Sequence, residues 1–518
     1  MSSEKRPSRT KLLPTRSPRG TGRPPDSGGS SPRGSGYVST DLRENRKYLE
    51  ETLGAESTFD VLLKDIQVAG RPALIVAIDG FVKDDILLWV MRTLISLPPE
   101  TDLRAHLIEK IPHPEITPEP QWSPALSLLL SGTSLLLVDG IDLAYIIDTR
   151  TYPARDPQEP DLEKVMRGPR DGFAETLVLN VALIRRRLRD PSLRAELHQV
   201  GRRSVSDVAL MYLEDVANPD IVDDIRERVT GIDIDGLLMA EKSLEEYMLT
   251  DRQWWNPFPL VRYTERPDTA AVHLMEGGVV LSVDTSPVHI IMPATFFHHM
   301  QHAEEYHSDV LVGTFVRAVR MIALFLSWIL PPLWVATALS HDVLPPALHF
   351  VGPREEVAVP LFLQFIIGEL GVELIRLGLI HTPAALATAL GIIGAILLGE
   401  LAVEVGLFNP EVILYIVLAA LGSFAVPSQE LRMAVRVWRV FLLVAAGLGR
   451  LPGLAVAAVI NLLALGFTRS FRVSYLWPLI PFDRKALWSV LVRKPVPLDR
   501  FRPAAYKPQD KVRQKPSS

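Results

Sequence analysis

Read by its hydrophobic and polar positions, the chain changes character several times. Residues 1–36 hold mostly Ser, Pro, Gly and Arg, with Leu12, Leu13 and nearby Val38 to bury. So little apolar surface cannot offset the entropy of ordering, which predicts a disordered tail. Between 41 and about 150 the pattern alternates. Ala73 to Ile78 is an apolar run ending in Asp79-Gly80, and Ser134 to Val138 and Leu143 to Ile147 are short β-type runs separated by Asp139-Gly140. Asp84 to Ile95 and Asp102 to Ile111 read as helices, each opening on an Asp suited to a cap. The Pro-bounded stretch 156–161 reads as a linker. Helical periodicity then dominates over Asp171 to Arg189, Pro219 to Val229 and Gly236 to Leu249. β-type runs follow at Val205 to Leu213, Val279 to Val283 and Val288 to Met292.

Beyond Arg317 the polar positions thin out. Met321 to Ser340 has 20 residues without a charge and Leu377 to Gly399 has 23, against roughly 20 needed to cross a bilayer core. Val412 to Gln429 and Leu451 to Thr468 are uncharged over 18 residues each. Six crossings are predicted, at about 318–340, 357–379, 384–405, 411–427, 431–449 and 451–469, with four as the smaller even count and the second segment, which carries charge, the weakest. An even count returns the chain to its starting side, with a tight outer turn at Arg450-Leu451-Pro452-Gly453. Pro331-Pro332 should bend the first span. Gly391, Gly394 and Gly399 in the third allow close helix approach.

Charge changes the picture next. Of the net −5, residues 1–36 hold +6, residues 471–518 hold +8 and residues 317–470 are neutral, which leaves −19 on residues 37–316. Two basic ends around an acidic body and an apolar block fit cytoplasmic ends beside a membrane better than nucleic-acid binding. No apolar secretory core precedes the acidic body, so that body is expected in the cytoplasm. The chain has no Cys, which excludes disulfides, thiolate metal sites and a cysteine nucleophile. The fold class expected is therefore a soluble α/β (α+β) N-terminal cytoplasmic region followed by an all-α polytopic membrane domain. Its parts are a 1–36 tail, α/β subdomains at 37–155 and 164–310, a membrane domain at 317–470 of four to six helices, and a basic cytoplasmic tail at 471–518.

Candidate chemistry is sparse. The chain lacks a phosphate loop, a dinucleotide-binding glycine motif, a zinc-protease motif and a calcium loop, so no enzyme and no cofactor is expected. His298, His299, His302, Glu304, Glu305 and His307 form one metal-like cluster, with His298 and His302 able to share a helix face. A polar turn at headgroup level explains it equally, and without a recognised ligand motif no metal is expected. The intramembrane charges are more informative. Glu369 with Glu373, and Glu400 with Glu404, are i,i+4 pairs, each projecting from one helix face as in a cation-attracting path, and Glu369 and Glu373, with Arg376 beside them, are the first choice for that path and Glu400 and Glu404 the second. The alternative is that Arg376 neutralises Glu373 within one turn and that Glu400 and Glu404 lie near headgroups. Arg432, Arg436 and Arg439 form a basic stripe whose ordinary role is snorkelling to anionic lipid.

The run Arg167-Gly168-Pro169-Arg170-Asp171-Gly172-Phe173-Ala174-Glu175, with Asn180 and Arg185-Arg186-Arg187-Leu188, resembles the hallmark of the spore germination receptor A-subunit (GerA) family. Thr264-Glu265-Arg266-Pro267-Asp268 and Glu276-Gly277-Gly278-Val279 resemble its second signature. Read physically, the first is a Gly-Pro turn feeding a basic-faced helix and the second a charged turn before a β-hairpin. The runs Glu369 to Glu373, His381-Thr382-Pro383, Val405 to Tyr415 and Tyr475 to Phe482 narrow the likeness to one sporulation branch, over about 40 to 515. The Glu-Arg arrangement at 369–376 departs from the usual nutrient-receptor subunit. The resemblance implies a protein of the spore inner membrane with both termini on the spore-core side. It also implies a homo-oligomer, pentameric in the family's pattern, whose membrane helices conduct cations. Its implied partners are membrane lipids and a small membrane partner, or germination-receptor or dipicolinate-channel proteins. The branch is associated with the dipicolinate channel and implies an accessory ion-release component. A non-conducting scaffold is the alternative.

Overall fold

A computed structural model describes residues 36–514, apart from 100–102, 112, 114, 152–162, 164, 166–167, 250–254, 303, 356, 381–385, 387–390 and 395. Residues 1–35 of the predicted tail, the 156–161 linker, Arg167, His381-Thr382-Pro383 and part of the predicted third crossing lie outside the described residues.

Helix α1 (Leu42–Leu53) starts where the Asp41 carboxylate accepts from the Arg43 N–H and stops at Gly54, whose left-handed φ of 61° favours glycine. Strands β1 (Val61–Val68) and β2 (Arg71–Ile78) follow, then α2 (Asp84–Ile95), α3 (Leu103–Lys110), β3 (Ile116–Glu119), α4 (Trp122–Leu129), β4 (Ser134–Val138) and β5 (Ala144–Ile147). All pairings are antiparallel and the sheet order is β1-β2-β4-β5-β3. After α5 (Leu177–Arg187) come β6 (Leu193–Val200), β7 (Ser206–Leu213), α6 (Pro219–Thr230), α7 (Ala240–Met248), β8 (Arg262–Thr264), α8 (Pro267–Met275), β9 (Val279–Val283) and β10 (His289–Met292). Their sheet, again antiparallel, runs β6-β7-β9-β10-β8. Helix placement and strand order match the first unit position for position, so the N-terminal α/β region carries one architecture twice.

Two sequence expectations are corrected here. Helix α5 begins at Leu177 and not at Asp171, because the Asn180 amide holds both the N–H and the C=O of Ala174 and keeps the preceding chain extended. In the second signature Glu276-Gly277-Gly278 is the expected charged turn before a hairpin, that of β9 and β10, whereas the run at Thr264 to Asp268 does not turn directly into it. It ends β8 and starts α8, with Pro267 in the first turn, where a missing N–H costs nothing.

The C-terminal region is helical: α9 (Glu304–His307), α10 (Val310–Trp328), α11 (Leu330–Ala338), α12 (Leu361–Ile380), α13 (Pro410–Phe424) and α14 (Gln429–Phe467). The predicted bend lies between α10 and α11, with Pro331 and Pro332 in the first turn of α11. Helix α14 is broken at Arg450 (φ 52°, ψ −143°), in the predicted outer turn. Contacts group the helix ends into two sets. Ser340 reaches Leu451, Asp342 faces Arg450, and Gln364 bonds Asn409 at one end. Arg320 reaches Ala425 O, His299 meets Ser428, and Asn256 bonds Thr468 at the other, beside the second sheet. A Cβ on Gly422 would come within 2.4 Å of Ala323 O, and one on Gly447 within 2.2 Å of the Phe362 ring, so both glycines permit close helix crossing. Of the three glycines expected to do this, Gly394 meets Ile375, whereas a Cβ on Gly391 or Gly399 would meet no described atom within 4 Å.

Val310–Trp328 and Gln429–Phe467 are long and apolar enough to cross a membrane by length and composition. The outward faces of α10, α12, α13 and α14 are apolar, with Phe315, Ile322, Leu370, Leu374, Leu421, Leu448 and Leu462 all exposed. The second sheet and the helices share one continuous core, in which the Phe258 ring lies 5.8 Å from Trp328, 6.0 Å from Trp438 and 5.9 Å from Tyr475. A strand pair, β11 (Arg469–Ser470) and β12 (Val473–Ser474), and α15 (Arg484–Leu491) complete the chain. Its last stretch packs along the second unit, with Tyr506 fully buried and Gln509 bonding Glu214 O and Ala217 O.

Candidate functional site

The two signature runs, almost a hundred residues apart, meet. The Phe173 N–H donates to Glu265 O at 2.9 Å, and buried Arg266 donates to Pro169 O at 3.1 Å while pairing with Asp268 at 2.7 Å. The Phe173 ring stacks on His289 with centroids 3.6 Å apart. Burial holds the His289 imidazole down to about 3, so this stack is neutral at ordinary pH. Gly168, Pro169, Arg170 and Gly172 lie on the irregular stretch entering this junction, and Thr285 N–H bonds Glu175 O. The three consecutive arginines do not make one basic helix face. Arg185 is buried on Asp60 and Arg187 pairs with Asp171 at 2.6 Å.

The histidine-rich segment holds no shared helix face. His298 to Met300 is a short 3-10 turn and the chain is extended by Gln301, which separates His298 from His302. Among the described residues no group of His, Asp or Glu is arranged to hold a metal ion. Glu305 instead faces Arg317, 2.8 Å away, and Arg320, both midway along α10, and is buried with them. Arg317 also donates to Ser489 O and Val490 O of α15, and Arg320 to Met300 O and Ala425 O. One carboxylate and two arginines therefore tie the second sheet unit, α10, α13 and α15 together. Sequence reasoning placed Glu305 in a metal-like cluster and missed this role, although two arginines one and four residues before an apolar run were a visible signal.

Within the helices, Glu369 and Glu373 on α12 are both engaged by arginines. Arg439 on α14 is 1% exposed, bonds Glu369 at 2.6 Å and reaches Ser327 on α10 at 3.0 Å. Glu373 is shared by Arg376, one turn on, and by Arg436 of α14. This ladder of three arginines on two carboxylates corrects the snorkelling expectation for Arg436 and Arg439, which turn inward to carboxylates. Glu400 and Glu404 differ. Both are exposed beside exposed Leu401 and Val405, on a helical stretch that includes a π-helical turn over Leu397–Leu401 and ends at Gly406 (φ 74°). Exposed carboxylates of this kind attract cations, whereas those of α12 are already paired with arginines.

Comparison with known proteins gives the following. The profile of the Bacillus/Clostridium GerA spore germination protein family matches residues 47–505. Stage V sporulation protein AF of Bacillus subtilis is 41% identical over 479 residues, covering 92% of this chain and 97% of that protein. Spore germination protein KA of Bacillus subtilis is 30% identical over 490 residues, covering 92% of this chain and 89% of that protein. Among solved structures, the N-terminal domain of the A subunit of the Bacillus megaterium spore germinant receptor GerK3 is similar at 28% identity and a TM-score of 0.40, over 50% of this chain and 97% of that one.

Proposed function

The chain belongs to the GerA family of spore germination proteins, and from that membership we propose that it is an integral protein of the spore inner membrane that assembles with copies of itself and releases monovalent cations during germination. Both termini would lie on the spore-core side. The apolar outer faces of α10 and α12 to α14 support membrane insertion, since soluble monomers rarely expose contiguous apolar area on this scale. The grouping of helix ends into two sets supports the six-crossing path.

Glu400 and Glu404 carry the conduction reading. They are exposed on an otherwise apolar helix, near the end away from the second sheet. An acid at bilayer depth costs roughly 2.5 to 3.5 kcal/mol unless it faces water or protein. Repeated around a ring of subunits, the pair makes an acidic mouth that concentrates cations. The protein reconstituted in liposomes should pass K⁺ or Na⁺ in preference to Cl⁻, and the double change Glu400→Gln with Glu404→Gln should reduce that preference while oligomers still form. Folded oligomers that pass no ion would discard the reading.

One observation favours a second reading. The carboxylates of α12 are neutralised within the protomer, which suits a tightly packed, non-conducting bundle. The protein would then be a scaffold assembling a germinant receptor or dipicolinate channel through its α/β region, and co-purification of such proteins with the silent oligomer would support it.

A further inference from the structure

A second charged site lies where α14 meets the α/β region. A cavity of about 360 Å³ is lined by Asp224, Arg228, Phe467, Arg469, Phe471 and Arg472, among others. Arg469 and Arg472 are exposed and have no side-chain partner among the described residues, on a chain where most buried or half-buried arginines are matched. Their hairpin is held firmly. Ser470 Oγ donates to Leu260 O at 2.6 Å and accepts from Ala294 N–H at 3.1 Å, and Tyr475 N–H returns to Thr468 O. The turn between β11 and β12 places two successive non-glycine residues, Phe471 (φ 42°) and Arg472 (φ 67°), in the left-handed region. Positive φ at both central residues is the type I′ geometry that a two-residue hairpin requires. Here it buries the Phe471 ring under the Arg228 guanidinium, 5.6 Å from the ring centroid, and turns Arg472 outward. Arg228 is fixed further by Asp224 at 3.4 Å and Met248 O at 2.6 Å.

The apolar side of the cavity continues directly into lipid-type surface. Phe467 is 81% exposed, and Leu462 and Leu463 one turn earlier are exposed as well. We propose that this cavity binds the phosphate headgroup of an anionic phospholipid, with Arg469, Arg472 and Arg228 around the phosphate and the acyl chains along Phe467 and Leu463. The inference rests on the membrane reading of α14. It does not depend on conduction.

The test uses the full chain in nanodiscs of phosphatidylcholine alone or mixed with phosphatidylglycerol. The mixed discs should raise the melting temperature, and a fluorescent phosphatidylglycerol should bind in preference to its choline counterpart. Arg469→Gln with Arg472→Gln should weaken that binding by about thirtyfold, each arginine acting with the energy of a basic residue at an anionic surface. The circular dichroism spectrum should be unchanged. Equal binding of the two lipids, or a double variant that binds like the parent, overturns the proposal. Protection by inorganic phosphate alone, equal to that of the lipid, also overturns it and assigns a soluble anion instead. If alkaline extraction strips the chain from native membranes, the membrane reading fails first and this inference with it.

Discussion

Asp60 and Arg185 are each 1% exposed, and they pair across 125 residues through two guanidinium nitrogens, one at 2.9 Å, while Arg185 also reaches Leu193 O. The pair links the loop before β1 to α5, and so joins the two α/β units. Removing one partner of such a pair strands the other charge away from water. Asp60→Ala should therefore cost roughly 3–5 kcal/mol. Replacing both partners, as in Asp60→Leu with Arg185→Met, should cost clearly less, because no charge is stranded. Denaturant melts of the full chain followed by aromatic fluorescence separate the cases, and equal losses in the single and double variants would show that the charges matter little. Nothing in the run Arg185-Arg186-Arg187 revealed which arginine was internal. Tertiary position decided it: Arg185 faces the sheet side of α5, and its acid comes from far upstream. The same holds for Glu369, whose presence inside an apolar helix was visible while its partner Arg439, 70 residues on, was not.

At the scale of elements, the central strands were legible because burial on both faces leaves continuous apolar runs, and the long helices because their exposed faces are apolar as well. β2 from Ala73 onward, β4 and β9 are buried at every position, and each was readable. Edge strands were harder. β1 reads Val-Leu-Leu-Lys-Asp-Ile-Gln-Val and β6 reads Leu-Arg-Ala-Glu-Leu-His-Gln-Val, with charges that keep an open edge from pairing with other chains and blur the alternation. Missing them hid the repeated architecture. The outer turn of α14 was readable from Pro452-Gly453, yet the break falls on Arg450, which adopts φ 52° and ψ −143°, a conformation suited to glycine. Its ion pair with Asp342, at 3.5 Å, is exposed and contributes little. Arg450→Gly should therefore stabilise the protein by about 1 kcal/mol or more. Arg450→Val, β-branched at the same dihedral angles, should destabilise it. Thermal melts in detergent that rank the two in the opposite order would mean that the hairpin does not hold this conformation.

Across the whole molecule, the junction of α/β region, helix bundle and C-terminal stretch is built from buried titratable groups, and that sets how the protein responds to acid. Burial holds His298 and His299 down to about 3, with Arg262 adding to the effect, and His289 down to about 3. His273 is also pushed well below its ordinary value and lies 3.2 Å from the Tyr506 hydroxyl of the C-terminal stretch. These imidazoles are neutral when folded and take up protons near 6.5 when unfolded. Their contribution is complete above about pH 6.5 and is lost as pH falls toward the folded values, at about 1.4 kcal/mol per pH unit for each group. Glu276 opposes them. Burial pushes its carboxyl up to about 7 despite Arg513 at 3.8 Å, with Asp499 and Arg262 also acting on it and His273 4.0 Å away. Folded Glu276 keeps a proton that the unfolded chain releases near 4.5, so this one group favours the fold increasingly as pH drops from 7 to 4.5. Several histidines outweigh one carboxyl. The full chain in detergent should lose thermal stability steadily between pH 6.5 and 4.5, with early release of the C-terminal stretch detectable by limited proteolysis. Glu276→Gln removes the opposing group, so it should be more stable than the parent at pH 7.5 and should lose stability more steeply on acidification. A parent that grows more stable toward pH 5, or a Glu276→Gln profile parallel to it, would mean that these groups are hydrated and that the junction is more open than the packing of Tyr506 against His298 requires.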